Sequence, residues 1–339
     1  MILKHIIAKQ RKVVYSYLFS SSSSSSPAST EQAVHLHQIN LSDSVERAYY
    51  SEQLKKFDGE FSYPLNVQTG SYFTIVHGKN EDNSSNTAHC DYFSFFEQIG
   101  KPSYFVALAQ NQSNDNNGDN QNSEIVGAGC AVLVKPENHP PYWYLCDFKI
   151  SQPWRQKGIL LKMLLKYLLP NIIQSHRFMA INMSSRKLDS QETAQSLMAH
   201  NGLLRKLKKL FFFLPVNLEM INLYQCTKNN LPIEIEIEME NPVIISNHGK
   251  KDFILYSNNE DKGQPWDVYH LADKQSTNIK HYQKKDLNEL SDEATILYVR
   301  KHNSNNANHN ENLNLNSQAV IISSGISSHI VDNIGTMHI

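Results

Sequence analysis

The segment from Tyr142 to Pro170 limits the possible folds of this 339-residue chain more than any other stretch. YWYLCDFKI, residues 142–150, is a run of strand formers, and SQPWRQKG then sets Arg155, Lys157 and Gly158 at a turn. The following ILLKMLLKYLL, residues 159–169, puts Leu160, Leu161, Leu164, Leu165 and Leu168 on one helical face. Lys162 and Lys166 lie one turn apart on the other face, and Pro170 closes the helix. A strand that feeds an amphipathic helix through a short turn belongs in a mixed α/β sheet, with the helix packed on one face. The first backbone N–H groups of that helix lack internal partners and sit at the positive end of its dipole, so the turn suits an anion such as phosphate. The plainer alternative is a pair of exposed cations on a strand–helix turn, with Gly158 there for close packing.

The flanking sequence supplies more elements of both kinds. Val34 to Ile39 alternates as a strand does, and Asp43 with Glu46 three residues later forms a capping pair for a helix through Leu54. Strands are expected at Tyr72–His77, Tyr104–Ala109, Ile125–Val134 and Phe178–Asn182, with a helix near Asp91–Gln98. A helical stretch at Gln191–His200 and strands near Phe211–Pro215 and Met220–Cys226 complete this part. Asn-rich segments at 111–123 and 302–316 bury too little apolar surface to offset their ordering entropy, and they are expected as loops.

Composition narrows the classes of function. A net charge of −1 gives no overall attraction to nucleic acid or acidic lipid, and the basic run Arg205–Lys209 suits a solvated helix face. No apolar run approaches the roughly 20 residues of a membrane span. Cations ahead of Val13–Phe19 and then seven serines loosely resemble a secretory signal, but the short apolar part holds Tyr15, Ser16 and Tyr17. A tail ending in a Ser-rich linker is the alternative. Cys90, Cys130, Cys146 and Cys226 lie far apart without a CxxC pair, which fits buried thiols in a reducing, cytoplasmic setting. There are fifteen histidines but no HExxH or paired Cys/His spacing, so no metal is expected.

LCDFKISQPWRQKGILLKMLL resembles the acetyl-CoA-binding core of the GNAT superfamily of N-acetyltransferases, where a strand leads through an R/QxxGxG/A loop into a helix. Arg155, Gly158 and Leu160 occupy the motif positions, Leu160 standing where the family has Gly or Ala. The strand FMAIN, ending in Asn182, follows as in many members. The resemblance covers about Val34 to Cys226 and implies acetyl-CoA as co-substrate. It implies that N–H groups of Gln156, Lys157, Gly158, Ile159 and Leu160 wrap the pyrophosphate, with Arg155 and Lys157 adding charge. The backbone of Phe148, Lys149 and Ile150 would then run beside the pantetheine arm, one N–H facing the thioester oxygen, and Asn182 is included in the same site.

The expected chemistry is transfer of the acetyl group to a primary amine by direct attack, which requires a proton acceptor and an acid for the departing thiolate. Many members place a tyrosine before an N/LGF-like turn; here SLMAHNGLL has none, and His200 reads as a helix-end residue. Others use a carboxylate six residues ahead of the strand's last apolar residue, a position held here by Tyr144. Strict alternation puts Tyr142, Tyr144, Cys146, Phe148 and Ile150 on one face and Asp147 with Lys149 on the other. Tyr144 and Asp147 are therefore the candidate catalytic residues. Their alternatives are a packed aromatic for Tyr144 and a structural ion pair for Asp147. A CoA-binding module without turnover is the alternative function.

After Cys226 the alternation IEIEIEME, residues 233–240, predicts a strand with one acidic face, which would also attract a cationic amine. Later apolar runs point to a smaller β-rich or α+β unit. The expected division is a tail at 1–33, an acyl-CoA-binding domain at 34–230 and the smaller unit at 231–339. The expected amine acceptor is a small molecule, a peptide or a protein, with no nucleic-acid or membrane partner expected.

Overall fold

The computed structural model describes residues 33–66, 71–78, 90–110, 123–168, 171–172, 175–183, 216–230, 242–256, 262–273, 282–301 and 315–326. The expected tail up to residue 32, the Asn-rich segments 111–122 and 302–314, the 191–200 helix, the 211–215 strand and the 233–240 strand lie outside these residues, while Ser123, Leu315 and Asn316, expected in loops, lie in strands.

The chain begins with β1 (Val34–Gln38) and α1 (Ser44–Asp58). The Asp43 side chain accepts from the N–H groups of Val45 and Glu46, at 2.9 and 3.2 Å, which caps α1 as expected. Glu46 does not return to Asp43; it accepts from the Asn40 N–H at 3.1 Å and bonds His37 at 2.6 Å. Asp43 N–H instead donates to the Asn40 carbonyl, so the reciprocal half of the capping box has no donor left to bind.

Next come β2 (Tyr63–Asn66), β3 (Ser71–His77), α2 (Ser94–Ile99), β4 (Lys101–Gln110), β5 (Ser123–Val134) and β6 (Tyr142–Ile150). The amphipathic helix is α3 (Ile159–Met163), and it continues as a π-helical turn through Leu164–Leu168. Leu164, Leu165 and Leu168 are buried and Lys162 and Lys166 exposed, as expected, but Leu160 and Leu161 are only half-buried and Ile159 and Met163 take the buried places instead. β7 (Phe178–Met183) and β8 (Asn217–Thr227) follow. Then come β9 (Pro242–Ser246), β10 (Lys251–Tyr256), β11 (Gln264–Trp266), β12 (Val268–Asp273), β13 (Gln283–Lys285), β14 (Thr295–Lys301) and β15 (Leu315–Ser324).

The fold is mixed α/β with a β-rich C-terminal part. One sheet runs β1-β4-β5-β6-β7-β15-β8-β14-β12-β9-β13, and a second runs β11-β10-β3-β2. β15, close to the C-terminus, lies antiparallel between β7 and β8. The division expected at residue 230 thus falls within one continuous sheet, because the chain returns to complete the part it left. α3 packs on one face of this sheet, over Phe105, Val126, Leu145, Phe178 and Ala180. α1 and α2 cover the other face, where Leu54, Phe57, Phe93 and Phe96 meet Tyr104, Val132, Tyr142 and Tyr144.

Candidate functional site

β6 is the strand on which the site depends. It pairs antiparallel with β5 along its length, but parallel with β7 only at Trp143, Tyr144 and Leu145, opposite Phe178, Met179 and Ala180. Past that point the β6–β7 ladder ends, a gap in the pairing between the two strands, while β7 stays paired with β15 and β6 with β5. Where they part, β6 carries a bulge. Cys146 pairs with Cys130 and Lys149 with Ala128, so Asp147 and Phe148 together oppose Gly129. Asp147 takes a φ of 56°, in the left-handed region that a non-glycine residue adopts only under constraint.

The bulge overturns the expected alternation. Phe148 and Ile150 lie with Leu145 and Trp143 on the α3 face. Tyr142, Tyr144 and Cys146 lie on the opposite face, which Asp147 and Lys149 share. Tyr144 therefore does not face the same way as Phe148 and Ile150; the extra residue resets a period of two. Its ring is fully buried, and burial first of all holds its phenol well above the usual range, which weakens it as a proton donor.

Two glycines on β5 make room for the α3-face residues, a role that sequence reasoning missed. A Cβ at Gly129 would stand 2.7 Å from two ring carbons of Phe148, and one at Gly127 would stand 2.7 Å from Cδ1 of Ile150. The alternating small residues of VGAGCA were the available signal. Ser151 N–H donates to Val126 O at 3.0 Å across the β5 side, so alternation turns the N–H and C=O of Ile150 toward the gap. Nε of Arg155 donates to that Ile150 carbonyl at 3.2 Å.

The turn into α3 follows at once. Gln152–Trp154 forms a 3-10 turn that buries Trp154, and Gln156 and Gly158 both take left-handed backbone, with φ of 68° and 75°. Such alternation directs successive N–H groups into one concavity. A Cβ at Gly158 would meet nothing within 4 Å, so there is open space in front of the helix start. Arg155, Gln156 and Lys157 are exposed, Ile159 is buried and Leu160 is half-buried. Nζ of Lys157 rests 4.2 Å from the centre of the Trp154 ring. Among the described residues, neither Arg155 nor Lys157 is in an ion pair with an acid. Asn182 pairs with Val320 through its backbone, and its side chain lies outside the described part.

Behind the bulge, on the α1 face, is a buried polar network that the sequence did not suggest. Nζ of Lys149 lies 2.7 Å from Asp147 and 2.7 Å from Asp58 of α1. Tyr104 donates its hydroxyl proton to Asp147, and the Tyr92 oxygen lies 3.0 Å from Asp147 and 3.1 Å from Asp58. Nδ1 of His77 is 2.9 Å from Asp58. Burial pushes the Asp58 carboxyl up, but the Lys149 charge and the His77 hydrogen bond outweigh it, so Asp58 is held below the usual carboxylate range. Burial likewise opposes the charge on Lys149, and Asp147 and Asp58 more than reverse this, holding it as a firm cation. Asp147 thus has the structural cation partner that was one of its two expected roles. The backbone of Lys149 lies along the strand expected beside a pantetheine arm, while its ammonium is buried between Asp58 and Asp147.

No protein-family model matches the chain, and no curated protein matches it. Among solved structures, it is similar to a GCN5-related glucosamine N-acetyltransferase region of a fungal multi-domain GH3 beta-N-acetylglucosaminidase. That match has 10% identity and a TM-score of 0.31, covering 73% of this chain and 28% of that one. It is also similar to Arabidopsis thaliana NAA60 in complex with a bisubstrate analogue, at 11% identity and a TM-score of 0.25, covering 67% and 100%. A third likeness is to a tandem GNAT protein from the clavulanic acid biosynthesis pathway, at 8% identity and a TM-score of 0.34, covering 87% and 100%. The chain thus spans under a third of the first structure's length. Two of these three proteins are named as GNAT or GCN5-related. Likenesses at such TM-scores carry no functional weight.

Proposed function

We propose that this chain is an N-acetyltransferase that moves the acetyl group of acetyl-CoA to a primary amine by direct attack. The observation that carries this is a bulged β6 that parts from β7 and leads directly into a left-handed turn with open space at the start of a ten-residue helical segment, Ile159–Leu168. The N–H groups from Gln156 to Leu160 would hold the pyrophosphate, and the exposed side chains of Arg155 and Lys157 add positive charge. The edge of β6 around Phe148 and Ile150 would pair with the pantetheine arm in the gap, as an added strand does. One N–H of that edge would then face the thioester oxygen, a contribution of about 3 kcal/mol to the transition state. Water carries the amine proton to the leaving thiolate, and Asp147 shapes the backbone there through its bulge.

A CoA-binding module without turnover is the second possibility. It is favoured by one observation: the Asp147 carboxylate is already engaged by Lys149, Tyr92 and Tyr104. Release of free thiol from acetyl-CoA, followed across a panel of primary amines, separates the two. Amine-dependent release is expected of a transferase; binding without release with any amine selects the module.

A further inference from the structure

Two cysteines stand face to face across the ladder where it reaches the bulge. Cys130 of β5 is the direct partner of Cys146 of β6, and the next residue of β6 is Asp147, where the bulge begins. Both side chains lie on the α1 face: Cys130 is fully buried, and Cys146 is half-buried against the same cluster. Both are free thiols, and they hydrogen-bond each other. Directly opposed residues of an antiparallel pair have Cα atoms about 4.5–5.5 Å apart, within the roughly 4.4–6.8 Å that a disulfide spans. Among the described residues no other two cysteines are strand partners; Cys90 precedes α2, and Cys226 lies opposite Ile296.

We propose that this pair is a redox-sensitive modification site: hydrogen peroxide joins Cys130 to Cys146, and the disulfide pulls on the bulge and weakens the acetyl-CoA site, a consequence that rests on the function proposed above. Cys146 reacts first, because it is the one of the two that reaches solvent. Its sulfur attacks one peroxide oxygen, the O–O bond breaks, and a sulfenic acid and one water form. The Cys130 sulfur then attacks the Cys146 sulfur. An S–S bond forms, the S–O bond breaks, and the hydroxide leaves with the Cys130 proton as a second water. The two thiols lose two electrons in all, and peroxide gains them. Burial, followed by the neighbouring Cys146, pushes the Cys130 thiol well above its ordinary value, so Cys130 serves as the resolving partner and not as the group that meets peroxide. A disulfide holds its Cβ atoms about 3.8 Å apart, whereas opposed strand side chains keep theirs at about 4.5–5.5 Å, so closing the bond draws the strands together. The pull falls on Asp147, which Lys149 and Tyr92 hold at 2.7 and 3.0 Å, and on the backbone that leads from it to Phe148 and Ile150.

The test treats the full chain with hydrogen peroxide, blocks the remaining thiols with iodoacetamide and cleaves with a Glu-specific protease, since Glu137 separates the two cysteines. Mass spectrometry is expected to find the Cys130 and Cys146 fragments linked, with Cys90 and Cys226 alkylated. In Cys130→Ala the Cys146 sulfenic acid should persist and be trapped by dimedone, and in Cys146→Ala the Cys130 thiol should stay reduced. Acetyl-CoA affinity measured by calorimetry should fall about tenfold in the oxidised chain, return with dithiothreitol, and change little in peroxide-treated Cys130→Ala. Unlinked fragments overturn the proposal, whether Cys146 stays reduced or goes on to the sulfinic acid, and so does a link from Cys146 to Cys90 or Cys226. A Cys130–Cys146 link that leaves the affinity unchanged overturns the effect on the site. A reduced chain that binds no acetyl-CoA removes the acetyl-CoA site, and the fragment map still decides the disulfide.

Discussion

Replacing Lys149 with methionine keeps the length of the side chain and removes its charge, leaving Asp58 and Asp147 facing each other across an apolar stem. Both carboxylates are buried, with side chains 3% and 7% exposed, and each loses a 2.7 Å contact to the ammonium. Removing one partner of a buried ion pair costs about 3–5 kcal/mol, a large share of the roughly 5–15 kcal/mol that holds a typical domain. The pH dependence gives the loss a distinctive form. In the wild type Asp58 is held below its ordinary value, so its contribution is present above about pH 4 and fades as acid approaches the lower folded value. In Lys149→Met, burial, the strongest influence on Asp58, is opposed mainly by His77, and the carboxyl moves upward. The deficit should then shrink as pH falls, because a protonated Asp58 no longer needs the missing cation. Urea unfolding followed by tryptophan fluorescence at pH 7.5 and pH 5 measures it. A loss under about 1 kcal/mol at pH 7.5, or an equal deficit at both pH values, would refute the idea that Lys149 neutralises the two carboxylates.

Two further substitutions test the parts that position the site. Gly129→Ala puts a methyl group 2.7 Å from the Phe148 ring, which must move by several tenths of an ångström. Acetyl-CoA affinity measured by calorimetry should fall roughly tenfold, or about 1.4 kcal/mol, and unchanged affinity would separate Phe148 from the site. Asp43→Ala removes the acceptor for two N–H groups at the start of α1 and should cost about 1 kcal/mol in urea unfolding; no loss would mean that solvent satisfies that end equally well.

How far the fold could be read depended on whether each feature was local. The Tyr142–Leu168 unit shows in the sequence because its strand formers, its cationic turn and its leucine periodicity are all carried by neighbouring residues. The bulge at Asp147 and Phe148 was missed, since inserting one residue leaves the pattern of residue types unchanged while turning every later side chain to the other face. That one residue moved Tyr144 away from Phe148 and Ile150. The polar network could not be read either: Asp58, His77, Tyr92, Tyr104 and Lys149 come from five separate segments, and nothing in their spacing joins them. Placing β15 between β7 and β8 is likewise a long-range pairing, and the apolar run AVIIS indicates a strand without indicating its partners. The left-handed Gln156 has no glycine to announce it, so the shape of the turn was apparent only in part, through Gly158.

The central claim is that the turn from Arg155 to Leu160 binds the pyrophosphate of acetyl-CoA. Calorimetric titration of the wild type and of Arg155→Glu/Gly158→Asp tests it most directly, with circular dichroism to confirm that the variant is folded. Arg155 is exposed and the space in front of Gly158 is open, so the substitutions bring carboxylates to the anion's position without entering the core. The wild type should bind acetyl-CoA with one site per chain, and the folded double variant should show no measurable heat of binding. Equal affinity in the folded variant would contradict the claim and place any acetyl-CoA site elsewhere on the chain.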